Sequence, residues 1–130
     1  MNYDELAIKS HEAKKLARAK YSNFHVGAAL LTKDDHLYLG ANIENASYGL
    51  TVCAERTAAF SAVLNGEKEF KAIAISSDAE DFIPPCGACR QVLAELCGGE
   101  LDVIMTNKNG DKKVVKMSEL LPYAFDENYL

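Results

Sequence analysis

The chain has 130 residues, a net charge of −5 and a pI near 5.2. This length fits one hydrophobic core, so we expect a single domain over residues 1–130. Basic residues are scattered among acidic ones with no basic stripe, which argues against a nucleic acid partner. Because the sequence shows neither a signal peptide nor a membrane-spanning apolar run, we expect a cytoplasmic protein with no membrane partner.

The first part of the chain predicts a helix followed by a β-hairpin. Asn2 can cap the helix, which continues to about Lys20 with these apolar residues at helical spacing: Leu6, Ala13, Leu16 and Ala17. The apolar run 26–32 indicates a buried strand, and residues 37–41 form its hairpin partner across a polar turn. Residues 42–51 show no clear period and are expected to form a loop.

The second part of the chain alternates helices with strands. One helix begins at Cys53 and closes at residues 65–66, with small side chains that permit close packing on a sheet: Ala58, Ala59, Ala62 and Val63. The next helix ends at residues 98–99 and buries Val92, Leu93 and Leu96. The remaining predicted elements are strands at 70–76, 101–106 and 112–116.

The order of these elements, α-β-β-α-β-α-β-β, predicts an α/β fold. We expect a three-layer α/β/α sandwich around a mixed five-stranded sheet. The two connections from strand to helix then place both cysteine-containing segments at helix starts beside strand ends, a common place for ligands. Only the acidic tail after Pro122 is weakly specified.

Three cysteines have the spacing of an open metal site. Cys53 stands two residues before Glu55 in C-A-E, and Cys86 and Cys89 form C-x-x-C directly after Pro85. All three lie at predicted helix starts, where the helix dipole favours the thiolate that binds zinc. Three protein ligands leave the fourth tetrahedral position to water, as in catalytic zinc sites. The pattern therefore predicts one Zn²⁺ per chain.

Other uses of these cysteines stay open. They could be small buried hydrophobic residues, or Cys97 could complete a closed structural site with four ligands. Cys97 follows an apolar helix face, and closed sites typically pair two C-x-x-C segments whereas this chain has one, so we assign Cys97 to the core. The three histidines lack paired spacing, and none is assigned to zinc: His11, His25 and His36.

Charged residues next to the cysteines are candidates for supporting roles. Glu55 lies near the open position without being a ligand, which suits a catalytic proton shuttle, although a Glu in a first helical turn also simply complements the dipole. Three thiolates around zinc form an anionic site, and Arg56 could offset this charge by donating hydrogen bonds to the sulfurs. Arg90 is the other candidate, and a solvated arginine is the alternative for both.

C-A-E with P-C-x-x-C is typical of zinc deaminases in general. Longer segments extend this pattern: YSNF at 21–24, VGAA at 26–29, NIENASY at 42–48, CAERTA at 53–58, PCGACRQ at 85–91 and LLP at 120–122. Together these segments resemble the cytidine deaminases, specifically the small homotetrameric kind that acts on free nucleosides. The similarity covers nearly the whole chain. His25, Gly49 and the turn 33–36 differ from the sequence expected of the family.

The resemblance implies hydrolytic deamination of cytidine and deoxycytidine to the uridine forms with release of ammonia, as in pyrimidine salvage. It implies that Asn42 and Glu44 hold the ribose, that Phe24 packs on the pyrimidine, and that Phe125 reaches a neighbouring subunit's pocket. It also places three further residues among the substrate contacts: Ala46, Tyr48 and Ala54. From the residues alone, Asn42 and Glu44 could instead satisfy loop backbone and Phe24 could belong to the core.

Rival functions are a nucleoside-antibiotic deaminase of the blasticidin type and a binding module stapled by zinc. Phe24, Arg56 and Phe125 favour the nucleoside deaminase over the first, and the second would not need Glu55. A homotetramer is expected because one small domain would leave the base exposed to water. The alanines of the helix after Cys53 could allow close helix crossings between subunits, or they could pack on the chain's own sheet.

Overall fold

The computed structural model describes all 130 residues, Met1–Leu130. Its strands are β1 (Val26–Thr32), β2 (Leu37–Ala41), β3 (Phe70–Ser77), β4 (Asp102–Thr106) and β5 (Lys112–Lys116). Its α-helices are α1 (Tyr3–Ala13), α2 (Ala54–Leu64), α3 (Gly87–Cys97) and α4 (Met117–Leu120). Short 3₁₀ turns occur at Lys14–Leu16, Tyr48–Leu50 and Glu127–Tyr129. None of the helices combines the length and the apolar character needed to cross a membrane.

The five strands form one mixed sheet in the order β2-β1-β3-β4-β5. β3 and β4 are parallel because α3 connects them, and the other neighbouring pairs are antiparallel. The predicted mixed five-stranded sheet is confirmed. β3 leads into the loop before α3, so this connection carries Cys86 and Cys89 to one end of the sheet.

Side chains from the central strands point alternately to the two faces of the sheet, and helices cover both faces. The face beneath α2 and α3 is built from Ala28, Leu30, Ile73, Ile75, Val103 and Met105. The opposite face packs against Leu6 of α1 and consists of Ala29, Leu31, Ala72, Ala74 and Ile104. The chain therefore forms the predicted three-layer α/β/α sandwich.

Two glycines let helices lie directly against the sheet. A Cβ added to Gly27 in β1 would lie 2.1 Å from the carbonyl oxygen of Ser10 in α1. A Cβ added to Gly40 in β2 would lie 2.3 Å from the carbonyl oxygen of Ala54, at the start of α2. In both cases the added Cβ would collide with helix backbone. Each helix therefore lies this close to the sheet only because glycine has no side chain.

The first helix is shorter than the sequence predicts. The expected helix reaches about Lys20, whereas α1 ends at Ala13 and Leu16 is 64% exposed. The chain becomes extended because the Arg18 backbone pairs with the loop after β2. The Arg18 amide donates to the Asn42 carbonyl, and the Glu44 amide donates to the Arg18 carbonyl, each at 2.9 Å. This tertiary pairing overrides the local helical pattern.

The small residues of α2 serve the chain's own core. Ala58, Ala59 and Ala62 are each 0% exposed and belong to the cluster under α2 and α3. They are therefore not available for close crossings between subunits, and that expectation for these residues is wrong. Val63, grouped with them in the sequence, is 42% exposed and lies on the outer side of the helix.

Replacing Gly27 with Ala should destabilise the fold by about 1–3 kcal/mol, because the added methyl group collides with the backbone of α1. Gly49→Ala is the matched control, since a Cβ there meets no atom within 4 Å. The measurement is the free energy of unfolding from urea titration. Equal stabilities for the two variants would contradict the close contact between β1 and α1.

Candidate active site

The first residues of two helices bring three thiols together. Cys53 precedes α2, Cys86 precedes α3, and Cys89 lies in the first turn of α3. The three Sγ atoms all lie within 4.8 Å of one another, and those of Cys53 and Cys86 are 3.7 Å apart. Sulfurs bound to one tetrahedral Zn²⁺ at ~2.3 Å are separated by about 3.8 Å. The cluster therefore has the donor type and the spacing that zinc requires.

The thiols interact strongly even without a metal. A hydrogen bond from Cys89 lowers the pKa of the Cys53 thiol to about 5, assisted by Arg56. The same hydrogen bond and burial raise the pKa of Cys89 well above its usual range. Cys53 therefore takes the negative charge and Cys89 keeps its proton. A bound cation is needed before Cys89 becomes a thiolate, so metal binding releases its proton.

Glu55 lies in the first turn of α2, and its side chain is buried with 4% exposure. Burial raises the pKa of its carboxyl group to about 7, with a further contribution from the charge on Cys53. A carboxyl group that titrates near neutrality can both accept and return a proton at physiological pH. Its place two residues after Cys53 puts this group beside the thiol cluster.

The two arginines near the thiols have different partners. Arg56 Nη2 lies 3.6 Å from Cys53 Sγ, and the buried Arg56 Nε has no hydrogen-bond partner within the chain. Arg56 thus supplies positive charge directly to the thiols. Arg90 instead donates from Nε to the Pro85 carbonyl at 2.8 Å and from Nη1 to the Leu120 carbonyl at 2.9 Å. Arg90 ties the turn before Cys86 to the end of α4.

Cys97 and the histidines lie outside the thiol cluster. Cys97 ends α3, about 12 Å along the helix from Cys89, and burial raises the pKa of its thiol to about 12. His25 Nδ1 lies 2.7 Å from an Asp78 oxygen, and the ring of His36 pairs with Glu67. Cys53, Cys86 and Cys89 are thus grouped without a fourth cysteine or a histidine.

Asn42 and Glu44 both anchor the loop after β2. Asn42 Oδ1 accepts from the Val26 amide at 2.9 Å, and its Nδ2 donates to the Phe24 carbonyl at 2.8 Å. One N–H of the Asn42 amide group remains available to a ligand. The backbone role considered for these residues is therefore real, and it coexists with unused hydrogen-bonding capacity.

The Glu44 carboxylate is held by donors from the turn at residues 21–22. The Tyr21 and Ser22 amides donate to Oε1 at 2.9 and 3.0 Å, and the Ser22 hydroxyl donates to Oε2. The Ser22 hydroxyl bond, followed by these amides, lowers the pKa of Glu44. Glu44 borders a cleft of about 400 Å³ whose other lining residues are Tyr21, Ser22, Tyr48 and Thr51. An ionised carboxylate in such a cleft can accept hydrogen bonds from hydroxyl groups.

Two connections fix this loop to the helix that carries Glu55. The Thr57 hydroxyl contacts the Ala41 carbonyl at 2.9 Å and accepts from the Ala41 amide at 3.0 Å. Ile43 and Val52 pair through two backbone hydrogen bonds just before Cys53. Sequence reasoning missed Thr57 and Ser22, because a hydroxyl in a helical turn or a loop gives no sign of a distant partner.

The other residues predicted to contact the substrate differ in how exposed they are. Phe24 is 37% exposed and Phe125 is 57% exposed, while Ala46 and Tyr48 lie in an exposed loop. The side chain of Ala54 is fully buried, so only its backbone could meet a ligand. The single chain thus brings together the thiols, Glu55 and the loop after β2, and leaves the aromatic rings uncovered.

Similarity to known proteins agrees with this geometry. Residues 1–105 match the family described as the cytidine and deoxycytidylate deaminase zinc-binding region. The matched part includes all three clustered cysteines and Glu55. The chain belongs to this deaminase family.

Other members of the family are similar along the whole chain. A cytidine deaminase of Halalkalibacterium halodurans is 51% identical over 125 residues, covering 96% of this chain and 95% of that protein. A cytidine deaminase of Sporosarcina psychrophila is 48% identical over 130 residues, covering 100% and 96%. The crystal structure of a cytidine deaminase from Burkholderia pseudomallei superposes with a TM-score of 0.93 at 49% identity, covering 96% and 100%.

The clustered thiols should determine metal content. Cys86→Ser should lose zinc and much stability, because a hydroxyl group is a poor replacement for a thiolate ligand. Cys97→Ser should retain one zinc per chain, since Cys97 lies at the opposite end of α3. Metal analysis of the purified variants checks both results. Loss of zinc from the Cys97 variant would contradict the site with three ligands.

Proposed function

We propose that the chain deaminates cytidine and deoxycytidine by hydrolysis, giving uridine and deoxyuridine with release of ammonia. The observation that carries this proposal is the cluster of three thiols beside the buried carboxyl group of Glu55. The separations between the three sulfur atoms fit binding to one zinc ion. The names of the similar proteins support the substrate class. The reaction would serve pyrimidine salvage in the cytoplasm. That compartment is reducing, so cysteines there stay available to bind metal and do not form disulfides.

Cys53, Cys86 and Cys89 would hold the zinc ion, with Arg56 offsetting part of their negative charge. When bound, zinc lowers the pKa of coordinated water so that a nucleophile is available at neutral pH. Glu55 takes a proton from the attacking water and delivers it to N3 of the pyrimidine. Glu55 then takes the remaining proton from the oxygen that has added to C4 and delivers it to the amino group, which leaves as ammonia when its bond to C4 breaks.

The loop after β2 would bind the sugar. The free N–H of Asn42 can donate to a ribose hydroxyl, and the Glu44 carboxylate can accept from one. The half-exposed ring of Phe24 offers an aromatic face for the pyrimidine. Because Thr57 ties the end of β2, where this loop begins, to the start of α2, the sugar and the reacting carbon would be positioned by one rigid unit.

Glu55→Ala should retain zinc and the fold while releasing ammonia from cytidine at least ~10²-fold more slowly than the wild type. The reason is that the variant keeps the ligands and loses the group that moves protons. Ammonia release, zinc content and circular dichroism are measured on both proteins. Near-normal turnover by the variant would exclude Glu55 as the shuttle, and an inactive wild type would favour a binding module.

Cytidine should react far better than free cytosine, because Asn42 and Glu44 have nothing to bind when the ribose is absent. Glu44→Gln should weaken this preference, since an amide cannot accept from the Ser22 hydroxyl and the sugar as a carboxylate does. The measurement is kcat/KM for both substrates. Equal values for cytidine and cytosine in the wild type would refute the assignment of the sugar site.

We also propose that the active unit is a homotetramer. The outer side of α2 and the neighbouring loop expose five apolar side chains: Ile43, Leu50, Phe60, Val63 and Leu64. Leu64 is 86% exposed, and a groove beside it is lined partly by Ile43 and Phe60. Exposed apolar side chains that line one groove, as Ile43, Phe60 and Leu64 do, favour association with another copy of the chain. The support thus comes from this outer surface, since the alanines are used in the core.

Light scattering should give about four times the chain mass of 14.2 kDa. Leu64→Glu should reduce this mass by placing a charge on the apolar surface of α2. Leu16→Glu is the matched control, because Leu16 is 64% exposed on the opposite face of the sheet and should leave assembly unchanged. A fully active monomer would overturn the proposal.

A further inference from the structure

Gln91 lies on the metal-binding helix but faces away from the metal ligands. It follows Cys89 by two residues in α3, and two residues rotate an α-helix by about 200°. Its side chain is half-buried, and Nε2 donates to the Phe125 carbonyl at 2.8 Å. Gln91 therefore links the helix that carries Cys89 to the C-terminal segment without taking part in the thiol cluster.

The C-terminal arm, residues 122–130, has little else to fix its direction. The bond from Gln91 is its only hydrogen bond to the rest of the chain. Within the arm, the Phe125 and Tyr129 rings stack with centroids 5.7 Å apart at an interplanar angle of 14°. The Asp126 carboxylate accepts from the Asn128 amide at 2.9 Å and closes the turn between the two rings. The arm is thus locally ordered, and its attachment depends on one side chain.

The aromatic pair of the arm is only partly covered by its own chain. Phe125 is 57% exposed and Tyr129 is 68% exposed, so the rings offer an apolar surface that this subunit does not cover. The base of the arm is also tied to the metal-binding helix, because Arg90 donates to the Leu120 carbonyl. Adjacent residues of α3 therefore hold the base of the arm and its aromatic part.

We infer that Gln91 is a positioning residue, which directs the ring of Phe125 toward the nucleoside pocket of a neighbouring subunit through its hydrogen bond to the Phe125 backbone. This inference rests on the proposed deamination in a tetramer. Gln91 touches neither the thiols nor Glu55, so its loss affects how well the pocket closes on a nucleoside. The chemical step itself should proceed nearly as before.

Gln91→Met tests this role because Met keeps the length of the side chain and removes the donor. The KM for cytidine should rise about 3- to 10-fold, the range that corresponds to one hydrogen bond between neutral groups, while kcat stays within about 2-fold. Zinc content and tetramer mass should not change. Gln91→Lys, which retains an N–H donor, should recover most of the lost affinity.

Glu95→Met is the matched control, since Glu95 lies one turn further along α3 and is exposed. Its KM should equal that of the wild type. A rise in KM for Glu95→Met equal to that for Gln91→Met would show a general effect of helix composition and would overturn the assignment.

The deciding measurement is a double-mutant cycle with Phe125→Ala. Once the ring is absent, adding Gln91→Met should raise KM no further. The same rise in both backgrounds would overturn the inference, because Gln91 would then act independently of Phe125. Zinc loss from Gln91→Met would overturn it as well. A wild type that releases no ammonia from cytidine would overturn the proposed function and this inference together, whereas an active wild type with independent effects overturns only the role of Gln91.

Discussion

The close spacing of three thiols is the constraint on which the site depends, because three thiolates at this spacing would repel one another. Their sulfurs lie within 4.8 Å of one another, and the hydrogen bond between Cys53 and Cys89 lowers the pKa of the Cys53 thiol and raises that of the Cys89 thiol. A divalent cation removes this conflict, so the cluster selects for a metal that prefers sulfur. Arg56 offsets part of the negative charge through its contact with Cys53 Sγ. Glu55 is buried, so ionising its carboxyl group costs free energy.

The sheet determines where the three thiols come together. Gly40 allows the start of α2 to lie against β2, and Thr57 joins that start to the end of the same strand. Through these contacts the loop after β2 and Glu55 share one support. The parallel pair of β3 and β4 then requires α3 as a crossover, which brings the start of α3 to the same end of the sheet.

The sequence was most informative where a pattern is local. Apolar runs, turn residues and helical spacing predicted the strands, the three main helices and the layers, and cysteine spacing predicted the cluster. Long-range pairing was not visible. The backbone of Arg18 ends α1 early by pairing with a loop far along the chain, and the alanines of α2 could not be assigned to core or interface by spacing alone. The same limit concealed Ser22, Thr57 and the helix α4.

The prior anchoring of Glu44 has a consequence for the entropy of binding. Its carboxylate already accepts three hydrogen bonds from residues 21–22, so its rotamers are restricted before any ligand arrives. Immobilising a flexible side chain on binding costs about 0.5–1.5 kcal/mol. For Glu44 this side-chain entropy is already lost when the chain folds. In the proposed sugar site, a hydroxyl group of the ligand would therefore meet an acceptor whose direction is already set, and the contact would form with little loss of side-chain freedom.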